Sequence, residues 1–191
     1  MFPEIAVREL VANALIHQDF TESVASVMIE LYDDRMEISN PRKPFISPDR
    51  FIDEYQSRND RLADVMRRVG ICEEKGSGVD KVVQLAEVFQ LPAPDFRIGE
   101  LRTSAVLFAH IAFDEMDRSD RIRACYQHCC LRYVMNEKVT NQSLRDRFKL
   151  PEDKTATVSQ IIAATVEAGG IKPADPAQAS TRYRNHVPFW A

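Results

Sequence analysis

One acidic stretch, AFDEMDRSD at residues 112–120, separates two parts of the chain with different hydrophobic periods. Before it, helix-like and strand-like patterns alternate. After it come three helical patterns, followed by short strand-like runs. Charge changes sign at the same place. Residues 1–117 hold 13 Lys/Arg and 22 Asp/Glu, a net of −9, whereas residues 118–191 hold 12 and 7, a net of +5. The whole-chain charge of −4 argues against nucleic-acid binding, but the split predicts two modules with different partners. We expect a first domain over 1–113, a linker over 114–120 and a second domain over 121–191.

Composition excludes several classes. With 45% hydrophobic and 28% charged residues the chain can build cores and is not disordered. No run approaches the roughly 18 uninterrupted apolar residues of a membrane span. The start, MFPEIAVREL, lacks the basic flank of a signal peptide. Cys72, Cys125, Cys129 and Cys130 form no CxxC pair. Free thiols without an export signal predict a cytoplasmic protein. Cys125, His128 and Cys129 share helical spacing, so a metal site is one reading. Buried small apolar residues on an amphipathic helix are the ordinary one.

In the first part, Glu4 to Ile16 reads as a helix with Ile5, Leu10, Val11, Ala14 and Leu15 on a broad apolar face. Ser23 to Asp33 alternates as a strand. Its face of Ala25, Val27, Ile29 and Leu31 is the one expected to be buried. Asp33-Asp34 then turns into a second strand, a hairpin. Asn40 to Pro48 contains three prolines and reads as loop. Asn59 to Val69 is helical, and Gly70 stops it. Gly76-Ser77-Gly78 opens a helix over Val79 to Phe89. Arg102 to Phe113 reads as a buried strand.

In the second part, helices are expected over 118–136, 141–148 behind the N-cap Thr140, and about 154–168, closed by Gly169-Gly170. A short Ile171-Lys172 strand and a strand over Thr181 to Val187 complete it. Three helices and a ribbon are the layout of a winged helix-turn-helix. Thr140 to Leu150 is its first motif helix, Pro151-Glu152-Asp153 the turn, and Lys154 to Ala168 the recognition helix. Val158, Ile161, Ile162 and Val166 are its core stripe. Lys154, Thr155, Thr157 and Gln160 face outward as DNA contacts. Arg182, Arg184 and His186 on the ribbon suit phosphates or a groove. The rival reading is a winged helix used for protein contacts alone.

Glu9 and Asn13 lie four apart on the first helix and share a face. A carboxylate can orient water and an amide oxygen can ligate Mg²⁺, although such a pair is also an ordinary polar helix edge. The ordered set REL-VANALIHQDF, LYDDRMEISNP and RLADVMRRVGICEEKGSGVDK resembles the carboxy-terminal domain of transcriptional regulators labelled RecG-related. That domain is similar to a divergent Bergerat (GHKL) ATPase. IKPAD and YRNHVPFWA resemble the winged helix that ends the same proteins, in which a Schlafen-like domain precedes the segment present here. The resemblance thus implies an α+β fold, a Bergerat (GHKL-like) sandwich followed by a winged helix-turn-helix, in a shortened relative or a piece of a longer protein. It places Glu9 as the catalytic base and Asn13 as the Mg²⁺ ligand. Asn40 takes the adenine-reading position. Gly76 and Gly78 form the phosphate cradle, with Lys81 within reach of the anion.

Relatives run N-P-G-G where this chain has Asn40-Pro41-Arg42-Lys43, and often H-R-D-Y where it has His17-Gln18-Asp19-Phe20. The missing glycines cost close backbone approach, and Asn40 lacks the charge of a carboxylate. ATP with Mg²⁺ is therefore expected to bind weakly or not at all. No G-x-x-x-x-G-K-[ST] loop is present, which excludes a P-loop motor. The leading expectation is a DNA-binding transcription regulator, working as a homodimer, with a divergent nucleotide module. An ATP-hydrolysing enzyme using Glu9 and Asn13 and a protein-interaction scaffold are the alternatives.

Overall fold

The computed structural model describes residues 2–21, 26–72, 76–177 and 185–191. The chain divides into two compact units, Met1–His110 and Ile111–Ala191.

The first unit runs α1 (Glu4–His17), β1 (Met28–Leu31), β2 (Arg35–Pro41), α2 (Asp60–Arg68), α3 (Gly78–Val88), β3 (Asp95–Ile98) and β4 (Arg102–Phe108). The strands form an antiparallel sheet in the order β1-β2-β4-β3. The β1–β2 turn is tight, with Tyr32 N donating to Arg35 O at 2.8 Å. Strand pairing puts Ile38 opposite Ala105, and Met36 opposite Leu107. These side chains share the inner face. On it, Ile38 and Leu107 join Ala6, Leu10 and Ala14 of α1 and Val82 of α3 in one core. Each large apolar side chain so buried contributes about 1.5–3 kcal/mol relative to exposure. Around the helix from that stripe, Ala12 and Ile16 meet Ala63 and Met66 of α2. α1 is thus apolar on two sides because it packs between the sheet and a second helix. The outer sheet face is polar: Arg35 Nε donates to Glu37 at 2.6 Å, and Arg97 Nε to Asp95 at 2.7 Å. Such surface pairs contribute about 0–1 kcal/mol each.

Three strand expectations change. β1 is an edge strand, and Ile29 and Leu31 are 51% and 70% exposed. Their register with Ile38 and Met36 points them to the inner side, but their exposure shows that no described element covers them there. Residues 23–25 of the expected strand lie outside the described residues. The strand from Arg102 ends at Phe108, five residues early. Asp95–Ile98, unassigned from the sequence, pairs with Thr103–Val106 as β3.

The second unit runs α4 (Arg118–Val134), α5 (Asn141–Arg147), α6 (Thr155–Glu167), β5 (Ile171–Pro173) and β6 (His186–Pro188), the two strands antiparallel. Asp117 caps α4, accepting from Asp120 N at 2.7 Å, and Thr140 Oγ1 caps α5, accepting from Ser143 N at 3.0 Å. The acidic stretch expected as linker is ordered at both ends: Phe113–Glu115 is a 3-10 turn, and α4 begins at Arg118. α6 buries Val158, Ile161, Ile162 and Thr165, so Thr165 takes the place expected for Val166. Its hydroxyl donates to Ile161 O at 2.8 Å, which satisfies the polar atom inside the core. Cys125, Cys129 and Cys130 of α4 are buried. Burial pushes the Cys125 thiol up to about 12 and raises Cys129 still further. No cluster of three His, Cys, Asp or Glu able to hold a metal occurs among the described residues. Among the described residues no helix is long and apolar enough to cross a membrane.

Candidate nucleotide site

A cleft of about 120 Å³ opens in the first unit between α1, the ends of β2 and β4, and the residue 44–56 loop. α1 supplies Glu9, Asn13 and His17 to it, and β2 supplies Ile38 and Asn40. Glu9 is 2% exposed, with Oε1 3.9 Å from the Arg8 guanidinium. Asn40 is buried at the β2 end, opposite Thr103, and its Nδ2 donates to Pro41 O at 3.2 Å.

Two glycines bring the α3 terminus to this pair. Gly76 sits at φ +91°, a backbone conformation that other residues reach only with strain. Gly78 opens α3. A Cβ there would lie 3.1 Å from Glu9 Oε2 and 3.3 Å from Asn13 Nδ2. The missing side chain lets the positive end of α3 stand against the Glu9 carboxylate.

Glu9, Asn13, Asn40, Gly76 and Gly78 therefore line one cleft. Lys81 does not line it; the helix carries it away, half-buried. The aromatic wall of the cleft was not anticipated. Phe45, Phe51, Tyr55 and Phe96 line it, with Phe51 and Phe96 edge-on at 5.4 Å. Phe45 lies on the proline-rich stretch read only as loop, and Phe51 and Tyr55 follow it where no element was assigned; their aromatic spacing was the available signal. His17 is held below its usual value by burial and by Arg58, which makes it a neutral ring beside Tyr55. Burial and the Glu9 charge raise the Cys72 thiol on the cleft wall.

Beside the cleft wall, Asp80 in the first turn of α3 is raised to about 6, by burial and by the Asp53 charge. Its Oδ1 is buried without a hydrogen-bond partner.

Residues 25–107 match the family model described as "Putative ATP-dependent DNA helicase recG C-terminal". This RecG C-terminal-like, ATPase-like segment spans β1 to β4 and leaves out α1, which carries Glu9 and Asn13. The DIP2311 protein of Corynebacterium diphtheriae has a similar fold, with a TM-score of 0.54 at 18% identity. The alignment covers 98% of this chain and 40% of that one, so the chain spans well under half of that protein's length. No curated protein sequence matches the chain.

Only part of the predicted DNA-contact set falls among the described residues. Lys154, Thr155 and Gln160 are exposed on or just before α6, while Thr157 is half-buried. Arg182, Arg184 and most of the expected Thr181–Val187 strand lie outside the described residues. His186 is 7% exposed, and its backbone exchanges hydrogen bonds with Val139. It is a packed residue and not the phosphate contact expected from sequence.

Proposed function

We propose that the first unit is an adenine-nucleotide-binding module and that the second is a winged helix-turn-helix contacting DNA, together forming a transcription regulator. The observation that carries the reading is the convergence on one cleft of Asn40, Gly76 and Gly78 from the ATPase-like segment with Glu9 and Asn13 from the helix that precedes it. The residues suit the ligand chemically. Asn13 offers Mg²⁺ an amide oxygen, consistent with the few protein ligands this ion takes beside phosphate. Gly76 and the α3 terminus offer backbone N–H groups to phosphate. Asn40 Oδ1 can accept the adenine amine, and the aromatic wall can stack a base. Bound Mg²⁺ would supply charge neutralisation at the phosphates.

The same geometry favours sensing over turnover. The cleft is small beside the roughly 300–1,000 Å³ of ordinary ligand sites. The Glu9 carboxylate also competes with phosphate for the positive end of α3. Calorimetry of the full chain with ATP and Mg²⁺ is expected to give a Kd of about 0.1–1 mM, roughly −4 to −5.5 kcal/mol. Asn13→Ala should remove the Mg²⁺ dependence. No heat at millimolar nucleotide would refute the module.

For the second unit, the order of three helices and a two-stranded sheet supports the winged helix, with α6 as the recognition helix. One such unit offers few phosphate contacts, so a homodimer would supply the second half-site. DNA affinity of the full chain should fall steeply as salt rises. Undetectable binding at low salt, or a dimer by light scattering that ignores DNA, would replace this reading with a protein scaffold.

A further inference from the structure

A second cavity, of about 460 Å³, lies beside the cleft and shares Phe45 with it. Its lining is Asp19, Arg42, Lys43, Phe45, Arg58 and a loop at Glu100-Leu101. Three cations reach it from two separate segments, the end of β2 and the entry to α2. The two acids leave the lining one positive charge in excess.

The two arginines are held in place. Arg42 sits at φ +77°. Its N–H donates to Leu101 O at 2.8 Å, and its carbonyl accepts from Thr103 Oγ1 at 2.7 Å. Its Nε donates to Asp19 at 3.0 Å. Arg58 donates from Nε to His17 O at 3.1 Å and from Nη2 to Lys43 O at 2.9 Å. Its guanidinium lies 4.2 Å over the Phe45 ring. A guanidinium so fixed loses little entropy when it takes an anion. Lys43 is exposed at the rim, and Phe45 is 55% exposed between the two spaces.

We propose that this second cavity is a phosphate-binding site, in which Arg42, Lys43 and Arg58 take a phosphate or pyrophosphate group against Phe45. Two sources share that chemistry: free oligophosphate, or a phosphate-bearing ligand whose ring occupies the neighbouring cleft. The second source rests on the nucleotide reading above; the first does not.

The test is calorimetry of the full chain with sodium pyrophosphate, adenosine and ATP. Pyrophosphate should bind, and raising the salt should weaken it. Arg42→Ser combined with Lys43→Ser should weaken it at least tenfold, whereas Asn13→Ala in the first cleft should not. Because Arg42 also braces the loop, Lys43→Glu serves as a second variant at an exposed position and should weaken pyrophosphate several-fold in a chain with unchanged circular dichroism. If the double variant also weakens ATP but spares adenosine, the nucleotide reaches across Phe45; if ATP is unaffected, the ligand is free oligophosphate. No pyrophosphate binding at millimolar concentration, or equal binding by wild type and Lys43→Glu, overturns the proposal. Absence of adenosine and ATP binding with pyrophosphate binding intact would remove the nucleotide reading alone.

Discussion

A methyl group at position 78 would press on the Glu9 carboxylate at 3.1 Å and the Asn13 amide at 3.3 Å. Both belong to α1, which is packed on two sides and has little room to retreat. Gly78→Ala should therefore cost about 1–3 kcal/mol in urea unfolding, and should also remove ATP heat, because the carboxylate and amide must turn aside. A variant as stable as wild type would show that the close approach is incidental. Asp80 gives a pH signature. Its carboxyl titrates near 6 in the folded chain, against an ordinary 3.8. The folded state thus holds a proton that the unfolded state releases, and this group makes stability fall as pH rises from about 4 to about 6. Asp80→Asn should match wild type below that window. Above it, the variant should be more stable by about 1 kcal/mol, the full shift being discounted because the group is half exposed. Denaturation midpoints at pH 3.5 and 7.5 check this.

At the scale of elements, the end of α1 depends on residues far along the chain. Asn59 Nδ2 donates to Ile16 O at 2.7 Å and Gln18 O at 2.8 Å, and Arg58 Nε donates to His17 O. These are carbonyls that a helix end leaves without partners. Asn59→Ala should cost about 1–2 kcal/mol, read as a lower urea midpoint with an unchanged slope. Helix limits were legible because caps are local: Thr140, Gly70 and Gly169 each sit where the chain begins or ends a helix. Strand burial was not. Alternation in β1 shows which side chains point inward, but not that the helices stop short of Ile29 and Leu31. β3 escaped notice because four residues between Pro94 and Gly99 carry too short a pattern. Thr165 displaced Val166 because its hydroxyl finds a carbonyl within its own helix, something hydrophobicity alone does not register.

For the whole molecule, charge and periodicity placed the change of character near residues 112–120, and the compact units part at His110 and Ile111. The residues expected around a nucleotide were visible where they fall in short motifs. The aromatic wall and the Arg58 brace were not, since they come from long-range packing across the 44–58 loop. The aromatic cluster at the C-terminus has its own use. Trp190 is the single tryptophan of the chain. Its indole N–H donates to the Tyr126 hydroxyl at 3.2 Å, and its ring lies edge-on to Tyr133 at 5.2 Å. Every one of these rings belongs to the second unit, so intrinsic tryptophan emission is a built-in reporter of that unit alone. Titrating ATP with Mg²⁺ into the full chain should change the emission of wild type, and Asn13→Ala should make that change independent of Mg²⁺. A flat trace at saturating nucleotide would mean that the sensor is not wired to the part proposed to meet DNA.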